Sequence, residues 1–527
     1  MLVQLKEPLA AVPLYKASVN GYQSQRERAS RIGRSALHAY TASVSSAYQE
    51  LAELLTDQGR LSEAQLVLDM LKEDEQFDFV RRGEDPRRTR IDYTPAEQKW
   101  TNRYREIADQ LAALGKEEQA LQRQIKLGLS EDQKQRRARL TADLKVAQAQ
   151  FESTLSEMRK DFASKGPARE VELAETDVKS LAELRALITA LGDGVVLLQV
   201  YLSDHRLNLL LTTPGVQLAR SVTIDAKDLN RQVSAFRRLL RDPKSDPLPA
   251  AQALYKLLLA PVEADLEQAG AKTVMLSLDG TLRYLPFGAL HDGQRYAAQR
   301  WNLPIYTSVV REKLRGDVFR QWRVAGLGVT RAHLPDFKEL PAVRNEMGSI
   351  VEMTASGALP GEVYLDEAFT TERLKDVSQR QFQVLHVASH FRFSPGTEIN
   401  SFLLLGDGSQ LTLGDIRTQN YRVDNVDLLT LSACDTGLGG GRDEKGREIE
   451  GFGVIAQQQG AKAVLATLWP VADQSTAALM ADMYRKHQDS HLSKIEALRQ
   501  AQITLQAQPR YSHPYYWAPF ILMGNWK

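Results

Sequence analysis

The chain has 527 residues, 43% hydrophobic and 25% charged, a composition of folded globular protein at a length beyond a single core. Its 67 basic and 66 acidic side chains leave a net charge of +1, so bulk electrostatics offer no attraction to nucleic acid or to an anionic membrane. No apolar run reaches the roughly 18–20 residues of a membrane span, the opening MLVQLKEPLAAVPLYK has no secretory pattern, and the one cysteine, Cys434, fits a reducing cytoplasmic setting. A single thiol also excludes an internal disulfide and a multi-cysteine zinc site.

Residues 1–92 read as helical. In AYQELAELLTDQGRLSEAQLVLDMLKEDE two apolar-periodic segments meet at Gly59, and Ser62 with Gln65 three residues on has the spacing of a capping box. The pairing of small Ala with large Leu resembles a tetratricopeptide unit, although a generic helical hairpin has the same pattern. One such unit cannot bury its own face, so neighbouring repeats or another domain must cover it. Residues 93–167 read as an antiparallel helical hairpin. One stripe runs through Tyr104, Ile107, Leu111 and Leu114, and the other through Leu140, Leu144, Ala147, Phe151, Leu155, Met158 and Phe162. Gly128 and a capping Ser130–Gln133 pair separate them. The basic residues around Arg136 read as a solvated face.

From about 168 the texture changes to short β-branched runs alternating with amphipathic helices. The expected strands are VVLLQVYL and LNLLLTT (a hairpin around SDH), TVMLSL, RVAGLGV, FQVLHVAS, SFLLLG, DLLTLSA and KAVLATL. Helices are expected over 226–242, 250–268, 341–355, 370–379, 450–459, 474–487 and 493–507. The fold class is therefore α/β with a mostly parallel sheet flanked by helices. It forms two lobes, 168–320 and 321–527, preceded by an all-α region.

Three strands end in polar residues. Phe382–Ala388 runs into Ser389, His390 and Phe391; Asp427–Ala433 into Cys434, Asp435, Thr436 and Gly437; Lys462–Leu468 into Trp469, Pro470 and Asp473. Open α/β sheets bind ligands beyond the carboxyl ends of their strands. If the three are parallel neighbours, a thiol, an imidazole and a carboxylate collect at one edge. A thiolate attacks carbonyls, an imidazole moves its proton near neutrality, and backbone amides in the turn after Cys434 can receive the oxyanion. The glycine run Gly437–Gly441 lacks the Lys-Ser or Lys-Thr that a phosphate loop needs. His386, inside its strand, reads as a core histidine. His487 and His491 have the spacing of a metal pair but no acidic or sulfur partner, so an exposed helix end is expected. The charged stretch 442–448 reads as a loop that either completes a substrate cleft or has no such duty.

VLHVASH, LLTLSACDTGLG, EGFGVIAQQQGAKAVLATLWPVAD, HPYYWAPFILMGNW and LSLDGTLRYLPFGAL resemble the CHAT family of caspase-like cysteine peptidases, commonly joined to tetratricopeptide repeats. The resemblance covers about 168–527. It implies a caspase–separase-type fold with a non-catalytic N-terminal lobe and a C-terminal lobe carrying a Cys–His dyad, here Cys434 and His390. The backbones of Phe391 and Cys434 become candidates for the oxyanion hole. The family usually has glycine where this chain has Phe391, which removes glycine's φ freedom there. In related separase-like enzymes an acidic residue near Asp473 receives a basic side chain before the scissile bond. Asp435 is a second candidate for that pocket, and capping of the following helix is an alternative role for Asp473. The resemblance further implies an intracellular bacterial effector with a specific protein substrate, without metal or organic cofactor. A partner engaging the N-terminal helices would activate it. A catalytically silent partner-binding scaffold is the competing expectation.

Overall fold

The computed structural model describes residues 8–32, 34–79, 90–124, 130–165, 175–307, 314, 319, 321–333, 337–352, 357–392, 401–418, 421–434, 447–469, 471 and 473–527. The chain divides into two compact units: Met1–Leu71 with Asp85–Leu181, and Lys72–Glu84 with Ala182–Lys527.

The first unit is helical: α1 (Pro8–Ile32), α2 (Arg34–Asp57), α3 (Leu61–Phe79), α4 (Pro95–Gln124) and α5 (Glu131–Lys165). Gly59, at φ +72°, makes the turn between α2 and α3. The capping box expected at Ser62 is not formed. α3 begins one residue earlier, Ser62 lies inside it, and the Gln65 amide donates instead to Asp69 (3.1 Å). Reciprocal boxes do form at Ser130–Gln133 and, unforeseen, at Thr94–Glu97. α4 and α5 run antiparallel, held by Trp100 donating to Asp161 (2.6 Å), Tyr104 against Phe151 and a two-pronged Arg136–Glu117 pair. A buried ionic cluster fixes α1, α3 and α4. Lys16 donates to Glu97 (2.9 Å), to Glu63 and to the Asp92 carbonyl, and Arg60 reaches Glu63 and Glu97.

Apart from Lys72–Glu84, which includes the end of α3, the second unit runs from the end of α6 (Glu175–Ala190) and is α/β. A four-stranded sheet, β1 (Val195–Leu202), β2 (Arg206–Thr212), β3 (Gln217–Thr223) and β4 (Thr273–Leu278), has the order β3-β2-β1-β4, with only β1 and β4 parallel. α7 (Ala226–Leu240), α8 (Leu248–Leu258) and α9 (Ala260–Gln268) connect β3 to β4. The single helix expected over 250–268 is two. Pro261 has no amide hydrogen to donate into the preceding turn, so it closes α8 and opens α9.

The larger sheet comprises β5 (Val324–Gly328), β6 (Gly361–Leu365), β7 (Val384–Arg392), β8 (Phe402–Leu404), β9 (Gln410–Thr412), β10 (Leu428–Cys434), β11 (Ala463–Thr467) and β12 (Phe520–Gly524). Its order is β12-β11-β10-β7-β5-β6, parallel except for β12, with the β8–β9 hairpin on the end of β7. α10 (Val343–Ile350), α11 (Thr371–Gln379), α12 (Leu413–Thr418), α13 (Arg447–Gln458), α14 (Asp473–Ser490) and α15 (Lys494–Gln506) lie between the strands. α10 is shorter than expected, since the chain turns into a bridge pairing Val351 with Leu359. α13 begins at Arg447, within the stretch read as a loop. Ile305 bridges Leu276 of β4 and Met523 of β12 in parallel register, so the two sheets continue through this one extended segment. The expected α/β class, with a mostly parallel sheet behind an all-α region, is the observed one.

Candidate functional site

The path of the chain selects the edge where a ligand can sit. From β5 it steps to β6 on one side and then returns to β7 on the other, so the connections diverge between β5 and β7. That divergence leaves a crevice at the carboxyl ends of β5, β7 and β10.

His390 is the seventh residue of β7 and Cys434 the last of β10. The two strands are adjacent and parallel, in register from Leu428 opposite Val384 to Ser432 opposite Ala388. A bulge follows, after which Cys434 lies opposite Phe391. Bulges often re-aim a side chain beside a functional site, and this one sets the backbone of Cys434 next to the residue after His390. The side chain of Cys434, and all of Asp435 and the glycine run 437–441, lie outside the described residues.

The His390 ring is half-buried, tilted against Phe337 with centroids 5.2 Å apart. Its Nε2 lies 2.8 Å from the Lys338 carbonyl. A carbonyl only accepts, so Nε2 carries the hydrogen, and in the neutral ring Nδ1 is the nitrogen left to take a proton. Phe337 and Lys338 belong to the connection leaving β5, which crosses toward β7 at the crevice. The Arg392 guanidinium stacks over Phe337 (4.8 Å) and Phe402 (5.8 Å).

Phe391 is buried, pairs with Leu403 of β8 on its other side, and does not have a positive φ. The strand therefore carries a phenylalanine here without the backbone strain that a left-handed conformation would impose. α14 begins at Asp473 itself, one position earlier than the capping role assumed, after β11 and at the same edge, and the Asp473 side chain lies outside the described residues. At the end of β6, Asp366 has φ +50° and accepts from the Thr330 amide (2.7 Å) and hydroxyl (2.7 Å). Burial opposes its charge, but these bonds hold its carboxyl below the usual range and tie the end of β5 to that of β6.

Beneath this edge lies a polar network. His386, on β7, is fully buried, with Nδ1 2.9 Å from the Tyr484 hydroxyl and Nε2 3.0 Å from Glu346 Oε1. Ser432 donates to the same Glu346 oxygen (2.6 Å), and Thr430 and Tyr484 share a hydrogen bond (2.7 Å). Burial pushes the Tyr484 phenol well up, which keeps it protonated. His386 is thus the packed, bonded core residue that its strand position suggested. Glu346 and Tyr484 were missed. The available signal was an acidic residue among Val343, Met347 and Ile350 on the buried face of α10.

His487 is also buried: it stacks on Trp322 and contacts the carbonyls of Leu492 and Phe319, so it is not the exposed helix end expected. Among the described residues no group of three or more His, Cys, Asp or Glu is placed to hold a metal. Nor is any described helix long and apolar enough to cross a membrane.

The human tetratricopeptide repeat protein 28 is 24% identical over 345 residues, covering 54% of this chain but 13% of its own length. Two crystal structures of the Saccharomyces cerevisiae separase–securin complex superpose over 96% of this chain and 46% of theirs, at 10% identity and a TM-score of 0.40. This chain therefore spans only a fraction of either protein. The sequence model of the CHAT domain matches residues 248–525, more than half of the chain, from α8 to the last strand. It takes in both strands of the bulged pair and the helix bearing Glu346, and by that match the chain belongs to the CHAT domain family.

Proposed function

We propose that the protein is a cysteine endopeptidase in which Cys434 is the nucleophile and His390 the proton carrier. The observation supporting this reading is the β7–β10 ladder, whose bulge sets Cys434 opposite the neighbour of His390 at the carboxyl edge. In the proposed cycle Nδ1 of His390 takes the thiol proton as Nε2–H stays on the Lys338 carbonyl. The thiolate adds to the scissile carbonyl, and the oxyanion meets the backbone N–H groups of Cys434 and Phe391. The imidazolium then protonates the leaving amine, and water, deprotonated by the same ring, releases the acyl group. The proposed substrate is an intracellular protein cut after a basic residue, which Asp473 and Asp435 would receive. The helical unit would bind the activating partner, in a bacterial defence or cell-death setting.

A fluorogenic peptide panel with basic, acidic and apolar residues before the cut tests the reading. Turnover of the basic members, lost in Cys434→Ala, is the expected result. A second reading is a silent scaffold that binds partners through its helices, and Phe391 in the usual place of glycine favours it. Silence of the wild type across the panel in every activated state would support that alternative.

A further inference from the structure

The bulge that brings Cys434 opposite Phe391 also ends the regular ladder at Ser432 and Ala388. Beyond that shift the strands keep one backbone pair, Cys434 opposite Phe391, in place of the run of pairs below it. Directly below the bulge, one side chain touches both strands. Glu346 Oε1 accepts from Ser432, two residues before Cys434, and lies 3.0 Å from Nε2 of His386, four residues before His390.

The protons in this cluster have a consistent arrangement. In it Ser432 O–H and His386 Nε2–H donate to Glu346 Oε1, Tyr484 O–H to His386 Nδ1, and Thr430 O–H to the Tyr484 oxygen. Each bond then has one donor, and the side chains of this network join the two strands to α10 and α14. A buried acidic side chain is a costly way to fill this space, since it needs partners for its oxygens that an apolar residue of similar volume would not. Its geometry thus suggests a purpose beyond packing.

We infer that Glu346 is a positioning residue for the Cys434–His390 pair, clamping β10 to β7 at the step where their ladder breaks. This rests on the peptidase reading for its functional meaning, though the clamp itself is separately measurable. Cys434 is the only thiol in the chain, so its alkylation by iodoacetamide across pH 5–9 reports the thiol whether or not any peptide is cut.

In the full-length protein, Glu346→Ala is expected to move the midpoint of that profile toward the value of about 8.5 of an ordinary cysteine. It should also lower kcat on a cleaved peptide at least tenfold with KM within about twofold. Glu346→Gln, which keeps the accepting oxygen, should restore the wild-type profile. If Glu346→Ala does not fold, Ser432→Ala removes one arm of the clamp and should shift the profile in the same direction. A folded Glu346→Ala or Ser432→Ala protein with the wild-type profile and kcat overturns the proposal. If the wild type cleaves nothing but the midpoint still moves in Glu346→Ala and returns in Glu346→Gln, the clamp stands and the peptidase reading falls.

Discussion

Phe391 is the residue at which this chain departs from the family pattern, and its surroundings decide what the departure means. It is buried between β8 and β10 in a conformation open to any residue, so its ring contributes to the core. Phe391→Ala should destabilise the protein by about 3–5 kcal/mol, and Phe391→Gly by at least as much, measured by denaturant unfolding. A glycine variant as stable as wild type would show that the ring is not packed there. For the proposed dyad, Cys434→Ala and His390→Asn should each lower turnover by about a thousandfold or more, and the double variant should be no worse than the more damaging single. Additive losses would mean that the two do not act as a unit. Cys434 and His390 were legible as candidates because each stands where an apolar strand turns polar. Glu346, Tyr484 and Ser432 were not, because their meeting depends on helix packing across intervals of 40 to 98 residues.

At the level of elements, α10 reaches the sheet because β5 has no side chains in its way. A Cβ on Gly328 would stand 2.6 Å from Val343 Cγ1 and 2.8 Å from Leu365 Cδ2, and one on Gly326 would stand 2.7 Å from Met347 Sδ. Gly328→Val should therefore lift α10, costing about 1–3 kcal/mol, and loosen the Glu346 contacts on the same helix. Unchanged thermal unfolding would refute the close approach. In the helical unit, burial raises the pKa of Glu97, but Lys16 and Arg60 outweigh it and hold the carboxyl below its ordinary value. A depressed carboxyl stabilises the fold fully above the unfolded value of about 4.3 and ceases to do so as pH falls through the folded one. Stability of the wild type should thus decline below about pH 4–5, and Glu97→Gln, though weaker at neutral pH, should flatten that decline in acid. An equal slope for both proteins would contradict the assignment.

Strand legibility followed burial. The eight runs read as strands are the apolar ones, whereas β3, β6, β9 and β12 were missed. β3 is largely exposed, β6 is a half-buried edge, β9 has three residues, and β12 lies in an aromatic stretch with no alternation.

Within the α/β unit, the proposed chemistry lies at the carboxyl edge of the larger sheet, and a buried ion pair lies at the opposite end of β10. Asp427, just before β10, is fully buried and joined to Lys494 (3.1 Å) and the Trp322 indole (3.0 Å), at the end of the strand opposite Cys434. Burial depresses the Lys494 pKa, yet Asp427 opposes that shift, and removing either partner would strand a charge in the core. A net charge of +1 supplies no long-range steering, so the proposed substrate would have to be recognised by local contacts. The most direct test compares newly formed protein N-termini in cells expressing the wild type, Cys434→Ala or His390→Asn under the same activating condition. A set of termini following basic residues, present with the wild type and absent with both variants, is the predicted result. Identical termini from all three proteins would contradict peptide-bond cleavage by this pair.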